Sequence, residues 1–518
     1  MTIRLRLSFR AVALAVALVA AVAAVPLTAT AARAATPICI SGAIQYDYQS
    51  AEDGTAKPTR TKPLRYAVVE LWGAEKSTDS PHALNVVGHT AADGSYNLCY
   101  TPTTTTSLST VWVKAWASVS NLWWVADNSN QIYTMQLPAL SNVTGNRNIG
   151  TAKPPASTSR AWHILDTIYL LWSNRNNPNS LCWSTNETNS QACTPLTVYW
   201  VDASGSAAYD PGSNSAFLYG ADADSEHVIL HEASHFLMHR MYNGLMPSGV
   251  NCQPHYVWYA SSDGCAWSEG FATASAAYVL GDSRTVWGDG NSTNFTYGDG
   301  WGVGDVVEGN VAGSLLDLWR TVDTNWNASI TAITAQKPMT FSAYFNTTRP
   351  AANPPLSTDS TALGKLNPHT IDYGPTIVGD GKYHSLTDGS GLALEVNGSC
   401  TAPSGSSTSL GTLDATRSWQ RWRIDANADG TVRITDGCPQ PLALTLPSPV
   451  NVGSTVIVKA YDPANSDQKW KVTKSNGTLR ITHPMGSLAL DRTSPAVGSA
   501  VVLNQYSSSN SQFWAPLS

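Results

Sequence analysis

The sequence predicts a multidomain protein with an N-terminal β-sandwich, a mainly α-helical (α+β) central domain and a C-terminal domain of repeated β-strands. Three observations carry this prediction. Apolar and polar residues alternate over 36–153, helix-compatible apolar segments dominate 156–348, and one motif recurs three times within 380–518. The Pro-, Ser- and Thr-rich stretch 349–379 is typical of a linker. A chain of 518 residues is long enough for three such domains.

Residues 1–34 have the features of a secretory signal peptide. They hold four arginines and no acidic residue, an apolar run covers 11–25, and the small-residue segment 32–34 offers a cleavage site. That run is short for a membrane span, and no later stretch approaches the required length. The sequence therefore predicts a secreted, extracellular protein without a membrane span.

The charge balance narrows the range of partners. Once residues 1–34 are removed, 27 basic residues remain against 37 acidic ones, a net charge of about −10. Such a protein repels the phosphate backbone, so nucleic acid is not a predicted partner.

The N-terminal region is predicted to be an accessory β-sandwich without chemistry of its own. Strand-like runs begin at residues 38, 66, 95 and 110, with a turn signal at Asp93-Gly94. The run 69–72, followed by a loop and the segment 90–96, resembles prealbumin-like or carboxypeptidase-regulatory modules. That resemblance implies a sandwich over residues 36–153.

The most informative motif is His231-Glu232-Ala233-Ser234-His235. In a helix, positions i and i+4 lie one turn apart on the same face, so two imidazoles can bind one metal ion. A glutamate directly after the first histidine lies beside the open side of that metal and can take a proton from bound water. The motif predicts a zinc hydrolase.

The flanks of the motif argue against a surface helix with two unrelated histidines. Residues 228–230 and 236–238 are apolar, which leaves little polar surface. Asp224 or Ser225 can cap the helix N-terminus. Buried histidine and glutamate side chains need partners, and a metal ion supplies them.

A catalytic zinc site takes a third protein ligand. The single-helix arrangement with a third histidine is absent, because Met238 and Met241 occupy the corresponding positions. A glutamate from a second helix is the other common solution, and Glu269 opens an Ala-rich helical run. Glu269 is also compatible with a simple helix N-terminal acid. Glu308 and His255 are the alternative ligands.

The H-E-x-x-H motif followed by W-S-E-G-F-A at 267–272 resembles the gluzincin metallopeptidases, closely over about residues 225–282 and loosely over the rest of the domain. The resemblance implies a zincin-like catalytic domain that binds Zn²⁺. It implies Glu232 as the general base and three zinc ligands: His231, His235 and Glu269.

Other roles stay open at this stage. An oxyanion donor is needed, and Tyr278, Tyr297 and His239 are available. Asp305 and Asp317 are candidates for orienting the ligand imidazoles, although such acids are more often solvated. The Asp- and Gly-rich stretch 289–305 is compatible with a Ca²⁺ site or with simple turns.

The cysteine count favours disulfides, because the number is even and the predicted compartment is oxidising. Proximity along the chain predicts four sequential pairs, one of which would hold the loop between the two candidate ligand helices. The pairs are Cys39–Cys99, Cys182–Cys193, Cys252–Cys265 and Cys400–Cys438.

The C-terminal repeat carries the motif Q-x-W at Gln420, Gln468 and Gln512, each preceded by a Leu-Ala-Leu strand. One repeat cannot bury its apolar face alone, so three are predicted to share a core. Three such units resemble the ricin-type β-trefoil lectins over about residues 380–518.

That resemblance implies a glycan site formed by an acid after the first strand of a repeat and an aromatic side chain later in it. The acid positions carry Glu395, Thr445 and Asp491, and the stacking positions fall near Lys459 and Asn504. Neither stacking position is aromatic. Asp491 with Asn504 and Gln505 is the best candidate pocket, Glu395 is the second, and Thr445 marks an inactive repeat. A structural or protein-binding trefoil is the alternative.

Together these features predict a secreted zinc metallopeptidase, an endopeptidase, acting on a protein or glycoprotein substrate. The lectin-type domain would direct it to glycans. The alternative is an exported carbohydrate-binding protein whose zinc site is vestigial or hydrolyses a bond other than a peptide bond.

Overall fold

The protein is described from a computed structural model. It describes residues 36–187, 193–247, 252, 255–295, 301–374, 377–475, 477–484, 488–507 and 509–517. The predicted signal peptide and Tyr297 lie outside these residues, as does part of the candidate calcium loop. Within the described part of the chain, no helix has both the length and the apolar character that crossing a membrane requires.

Two sheets form the N-terminal region, in the strand orders β11-β1-β2, with β5 also paired to β1, and β10-β6-β3-β4, with β9 also paired to β6. Burial alternates along β3 and β6, as the period of two predicts. The predicted N-terminal β-rich region is confirmed. Its strands are β1 (Ile38–Gln49), β2 (Thr59–Pro63), β3 (Val68–Ala74), β4 (His82–His89), β5 (Ser95–Tyr100), β6 (Leu108–Trp116), β7 (Ser118–Val119), β8 (Trp123–Ala126), β9 (Thr134–Gln136), β10 (Leu140–Val143) and β11 (Arg147–Ala152).

The central region packs helices against a five-stranded sheet of order β13-β14-β12-β8-β7. Its strands are β12 (Leu196–Val201), β13 (Ala208–Asp210), β14 (Ser215–Tyr219) and the hairpin β15 (Arg284–Val286) with β16 (Ser292–Asn294). Its helices are α1 (Ser159–Asn174), α2 (Glu226–Met241), α3 (Asp263–Leu280), α4 (Glu308–Asp317), α5 (Asn327–Gln336), α6 (Phe341–Ala343) and α7 (Ser360–Leu366).

The predicted boundary between residues 153 and 156 does not separate two cores. Strands β7 and β8, which precede that boundary, complete the sheet of the central region, with β8 parallel to β12. One continuous apolar core runs from Ile38 to Ile371. Alternation along a strand shows which face is buried but not which sheet the strand joins. The sequence alone therefore did not reveal that β7 and β8 belong to the sheet of the central region.

The segment 349–379 differs from the predicted linker. It contains α7, whose Ala362 and Leu366 are fully buried in the same core as helices α2 and α3. Arg349 is also buried and forms an ion pair with Asp323, with Nη1 2.8 Å from Oδ2. Ala362 and Leu366 lie in a segment rich in Pro, Ser and Thr, so its average composition does not indicate a buried helix.

The C-terminal domain consists of three four-stranded sheets, as predicted for a β-trefoil. Trp422, Trp470 and Trp514 are fully buried in one core, and each indole donates to the carbonyl of the Leu-Ala-Leu strand of its repeat. The predicted fold is confirmed. The strands are β17 (Ser385–Thr387), β18 (Leu392–Val396), β19 (Thr408–Thr412), β20 (Trp422–Ala426), β21 (Val432–Asp436), β22 (Leu442–Thr445), β23 (Ile457–Ala460), β24 (Lys471–Ser475), β25 (Thr478–Thr482), β26 (Leu488–Arg492), β27 (Val501–Gln505) and β28 (Ala515–Leu517).

An ion-pair cluster joins the N-terminal sheets to the first turn of α2. Glu226 contacts Lys62 directly, and its Oε1 lies 3.5 Å from Nε2 of His163. Burial alone would raise the pKa of Glu226, but His163 and Lys62 outweigh burial and lower the pKa from 4.5 to about 2.

This cluster predicts an acid-sensitive contribution to stability. Because the folded pKa of Glu226 lies below its unfolded value, the contribution is present above about pH 4.5 and is lost as the pH falls toward 2, up to about 3 kcal/mol. Glu226→Gln should therefore flatten the pH dependence of the urea midpoint over that range. Asp79→Asn, at an exposed acid, is the control, and equal slopes for Glu226→Gln and the parent would contradict the prediction.

Candidate active site

Helix α2 brings His231 and His235 together. Ser225 caps this helix, since its side chain accepts a hydrogen bond from the amide of Val228. Most of the helix is buried, including its polar residues Glu232 and His235. The two imidazoles lie one turn apart, with their Nε2 atoms 3.1 Å apart.

Helix α3 packs against α2 and adds Glu269. Ser262 caps its N-terminus, and Gly281 ends it in the left-handed conformation at φ +69°. Glu269 Oε2 lies 3.1 Å from Nε2 of His231 and 3.1 Å from Nε2 of His235. Three potential ligand atoms thus form a nearly equilateral triangle.

The triangle fits a zinc ion. With zinc–ligand distances near 2.0–2.1 Å, the ligand atoms of a tetrahedral site are about 3.3 Å apart. The observed separations of 3.1 Å approach that value. Two imidazoles and one carboxylate are a donor set that leaves a fourth position for water.

The charges of the cluster compensate one another. Burial would lower the pKa of His231, but Glu269 and Glu232 outweigh it and raise that pKa to about 9. Burial would raise the pKa of Glu269, but His235 and His231 hold it well below 4.5. The buried carboxylate of Glu269 therefore requires positive charge beside it, and a bound cation would also provide that charge.

Glu232 is 6% exposed and follows His231 on the same helix. Burial raises its pKa above 4.5, while the nearby histidines oppose that effect. A carboxylate with a raised pKa is suited to proton transfer near neutral pH.

A chain of hydrogen bonds orients the first histidine. His231 Nδ1 lies 2.9 Å from the Thr273 hydroxyl, which donates to Glu308 Oε1 at 2.8 Å. Thr273 follows Glu269 by four residues, so both lie on one face of α3. Thr273 was not among the residues predicted from the sequence, although its i+4 spacing from Glu269 could have indicated it.

The two alternative ligands occupy a neighbouring position. Glu308 lies in the first turn of α4, and its Oε2 is 3.3 Å from Nδ1 of His255. Nε2 of His255 faces the cluster, 3.9 Å from Glu269 Oε2. Neither residue belongs to the close triangle of ligand atoms.

The other residues predicted to support the site, two oxyanion-donor candidates and two acids, contact other groups. Tyr278 stacks on Trp326, and His239 Nδ1 bonds the hydroxyl of Tyr209 at 2.7 Å. The two acids proposed to orient the imidazoles pair elsewhere, Asp317 with His369 and Asp305 with Tyr373.

The candidate calcium loop is described only in part. Asp289 accepts hydrogen bonds from the backbone and side chain of Asn291, as in a simple turn. Residues 296–300 lie outside the described residues, so calcium binding at this loop remains a prediction.

All eight cysteines form disulfides in the four sequential pairs. Cys252–Cys265 joins the loop before α3 to the first turn of that helix. The Cys252 sulfur lies 3.8 Å from Glu269 Oε1, so this bridge contacts the third candidate ligand directly.

A cleft of about 170 Å³ opens beside the cluster. Its lining combines polar side chains, among them His231, Glu232 and His255, with apolar ones, among them Val228, Val257, Trp258 and Trp287. Glu232 is therefore among the residues that line the cleft.

The candidate glycan residues contact the glutamines of the Q-x-W motifs. Asp491 Oδ2 accepts from Asn504 at 3.1 Å and from Gln512 at 3.2 Å. Glu395 Oε2 accepts from Gln420 at 2.8 Å. In the second repeat Thr445 is fully buried, and Gln468 Nε2 donates to its hydroxyl.

Comparison with known proteins gives the class. Residues 39–161 match the mycolysin middle domain, residues 175–370 the mycolysin C-terminal domain, and residues 382–514 the ricin-type β-trefoil lectin domain. No curated protein matches the chain. The matches and the fold define a multidomain protein that joins a peptidase-type catalytic region to a lectin-type trefoil. The chain carries the middle and C-terminal domains of the mycolysin family, followed by a ricin-type β-trefoil domain, and mycolysin is a zinc metallopeptidase.

Several solved structures are similar over part of the chain. The designed threefold-symmetric protein ThreeFoil is 22% identical, with 26% of this chain and 98% of that chain covered and a TM-score of 0.25. A mosquitocidal holotoxin is 17% identical, with 28% and 18% covered and a TM-score of 0.25. The C-half of the earthworm R-type lectin in complex with GalNAc is 16% identical, with 26% and 98% covered and a TM-score of 0.21.

Proposed function

We propose that this protein is a secreted zinc-dependent endopeptidase whose trefoil holds it on glycans or glycoproteins. The observation that carries the proposal is the triangle of His231, His235 and Glu269, with Glu232 on the same helix and an open cleft beside it. The match to the mycolysin C-terminal domain, which contains all four residues, supports it.

Each residue has a chemical role. His231, His235 and Glu269 would hold zinc, which when bound lowers the pKa of a water molecule and polarises the substrate carbonyl. Glu232 takes a proton from the attacking water and returns it to the leaving amine. Thr273 and Glu308 fix the ring of His231, so that its Nε2 faces the metal position.

His255 is suited to donate a hydrogen bond to the developing oxyanion. Glu308 accepts a hydrogen bond from Nδ1 of His255, which fixes the imidazole ring. Nε2 of His255 then faces Glu269. The hydrogen bond to Glu308 raises the pKa of His255, which favours a proton on both ring nitrogens. A donor fixed before the reaction stabilises the transition state more than the substrate.

His255→Phe is expected to lower kcat for a peptide about 100-fold, because a fixed oxyanion donor contributes on that scale. KM and zinc content should stay near those of the parent, because His255 is outside the ligand triangle. Steady-state kinetics and metal analysis measure both effects. His82→Ala, at an exposed histidine of β4, is the control, and an unchanged kcat in His255→Phe would rule out this role.

The function is tested by digesting a peptide library with the mature protein, with and without a zinc chelator. We expect cleavage at internal bonds, loss of cleavage with the chelator, and recovery on adding Zn²⁺. Metal analysis of the untreated protein should find one zinc per chain. Zinc-loaded protein that cleaves no peptide would reject the proposal and favour a non-peptidase or vestigial site.

The trefoil supports glycan binding as a second activity, because residues 382–514 match a lectin domain and Asp491 is held by Asn504 and Gln512. Asp491→Ala should reduce binding on a glycan array about tenfold or more, since an acid that accepts sugar hydroxyls contributes a charge-assisted hydrogen bond. Thr445→Ala is the matched control in the second repeat. A parent protein that binds no glycan would leave the trefoil a structural domain.

A further inference from the structure

The short turn at Ala51–Asp53 of the N-terminal region lies against the start of the candidate metal helix α2. Glu52 Oε1 accepts hydrogen bonds from the amides of Glu226 at 2.6 Å and His227 at 3.3 Å. These are the first two residues of α2, whose amides have no partner within the helix. A residue 174 positions earlier in the chain therefore completes the cap that Ser225 begins.

The carboxylate of Glu52 is well placed for this role. It lies at the positive end of the α2 dipole, where a negative charge stabilises a helix. Its Oε1 also lies 3.3 Å from Nδ1 of His227, a side chain only 3% exposed. His227 precedes His231 by four residues, so Glu52 contacts the helix face that carries the first candidate ligand.

This turn and the residues just after it, Gly54 and Lys57, also contact the hairpin that borders the cleft. Arg284 Nη2 donates to the carbonyl of Glu52 at 3.2 Å, and Lys57 Nζ donates to the carbonyl of Gly288 at 2.9 Å. Any Cβ on Gly290 would lie 2.4 Å from the carbonyl oxygen of Gly54, so the two backbones are in close contact. The segment that contains the turn therefore contacts both α2 and the β15–β16 hairpin beside the cleft.

A simple surface cap would not require these additional contacts. Lys57 Nζ also bonds Asp224, a fully buried carboxylate two residues before α2, at 2.9 Å. Arg160 of α1 holds the other side of Asp224, with Nε 2.7 Å from Oδ1. The start of α2 is therefore held by charged groups from both the N-terminal sheets and α1.

We infer that Glu52 is a positioning residue for the metal centre, through which the N-terminal β-rich region sets the placement of α2. The inference rests on the proposed function for its catalytic consequence. It makes the N-terminal region part of the catalytic unit. Glu52 acts through the α2 backbone and His227, and touches neither substrate nor metal.

The first test uses the zinc-free full-length protein, so it does not depend on activity. Hydrogen exchange of the amides at the start of α2 should be about fivefold faster or more in Glu52→Ala, because loss of a helix cap exposes them. Glu52→Gln should retain most of the protection, since its amide oxygen can still accept. Asp53→Asn is the matched control, because Asp53 lies in the same turn and forms its ion pair with exposed Arg60.

The second test measures the site itself. Glu52→Ala should lower kcat about tenfold or more with little change in KM, and should shift the visible spectrum of the Co²⁺-substituted protein, because small displacements of ligands are costly. A purely structural cap would lower thermal stability and leave the spectrum and kcat unchanged. If Glu52→Ala does not fold, Glu52→Asp, with its carboxylate withdrawn by one methylene, takes its place.

Parent-like exchange in the folded variant would overturn the inference, and so would a parent-like spectrum. If the parent protein cleaves no peptide, the proposed function fails while the exchange and Co²⁺ measurements still decide the role of Glu52. Faster exchange together with a shifted spectrum supports the inference in either case.

Discussion

Glu232→Gln is expected to lower kcat for peptide hydrolysis about 1,000-fold, while one zinc per chain is retained. The amide is nearly the same size as the carboxylate but cannot accept the proton of the attacking water, and general acid–base catalysis contributes on this scale. Its buried position makes bulk water a poor substitute as the base. Steady-state kinetics and metal analysis on the same preparation measure both effects.

Glu232→Asp gives the conservative comparison. Its carboxylate is shorter by one methylene, so an intermediate loss of kcat is expected, since misplacing a catalytic group is costly. Chelator-treated parent protein fixes the background rate. Peptide cleavage by Glu232→Gln at the parent rate would exclude Glu232 as the base.

Glu269→Ala is expected to lower the affinity for zinc by more than about 100-fold. Loss of residues that only orient metal ligands already costs about 10- to 100-fold, and removal of a ligand should cost more. Two histidines on one helix then remain, which is fewer protein ligands than catalytic zinc sites have. Competition with a chromogenic chelator measures the affinity.

Two variants on α3 sharpen this prediction. Asp263→Asn changes an exposed acid in the first turn of the same helix and should leave zinc affinity unchanged. Thr273→Val removes the hydroxyl that bonds His231. It should lower the zinc affinity by only about 10- to 100-fold, as expected for a residue that orients a metal ligand. Parent-like affinity in Glu269→Ala, with loss of zinc in Glu308→Gln, would identify Glu308 as the ligand instead.

The pair of histidines could be predicted from the sequence because their spacing is local. A helix fixes the relation between residues four apart, so His231 and His235 meet wherever the helix lies. The trefoil was predictable for a similar reason, since three copies of one pattern need a shared core. The disulfide pairs followed from proximity along the chain.

Residues from different elements could not be placed in this way. Glu269 was the predicted third ligand, but Glu308 and His255 stayed open as alternatives until the packing of α3 and α4 on α2 was known. That packing separates them, with Glu269 in the triangle and the other two paired beside it. The crossing of two helices depends on many side chains at their interface, which no short motif records.

Sequence alone determined the local chemistry of this protein: a pair of histidines and a glutamate on one helix, an even set of cysteines, and a threefold repeat. Tertiary structure alone decided which distant residues complete that chemistry. It brought Glu52 to the start of α2, added β7 and β8 to the central sheet, and packed α7 into the core. The reason is physical: backbone periodicity fixes neighbours within an element, whereas contacts between elements follow from burying the apolar surface of the whole chain.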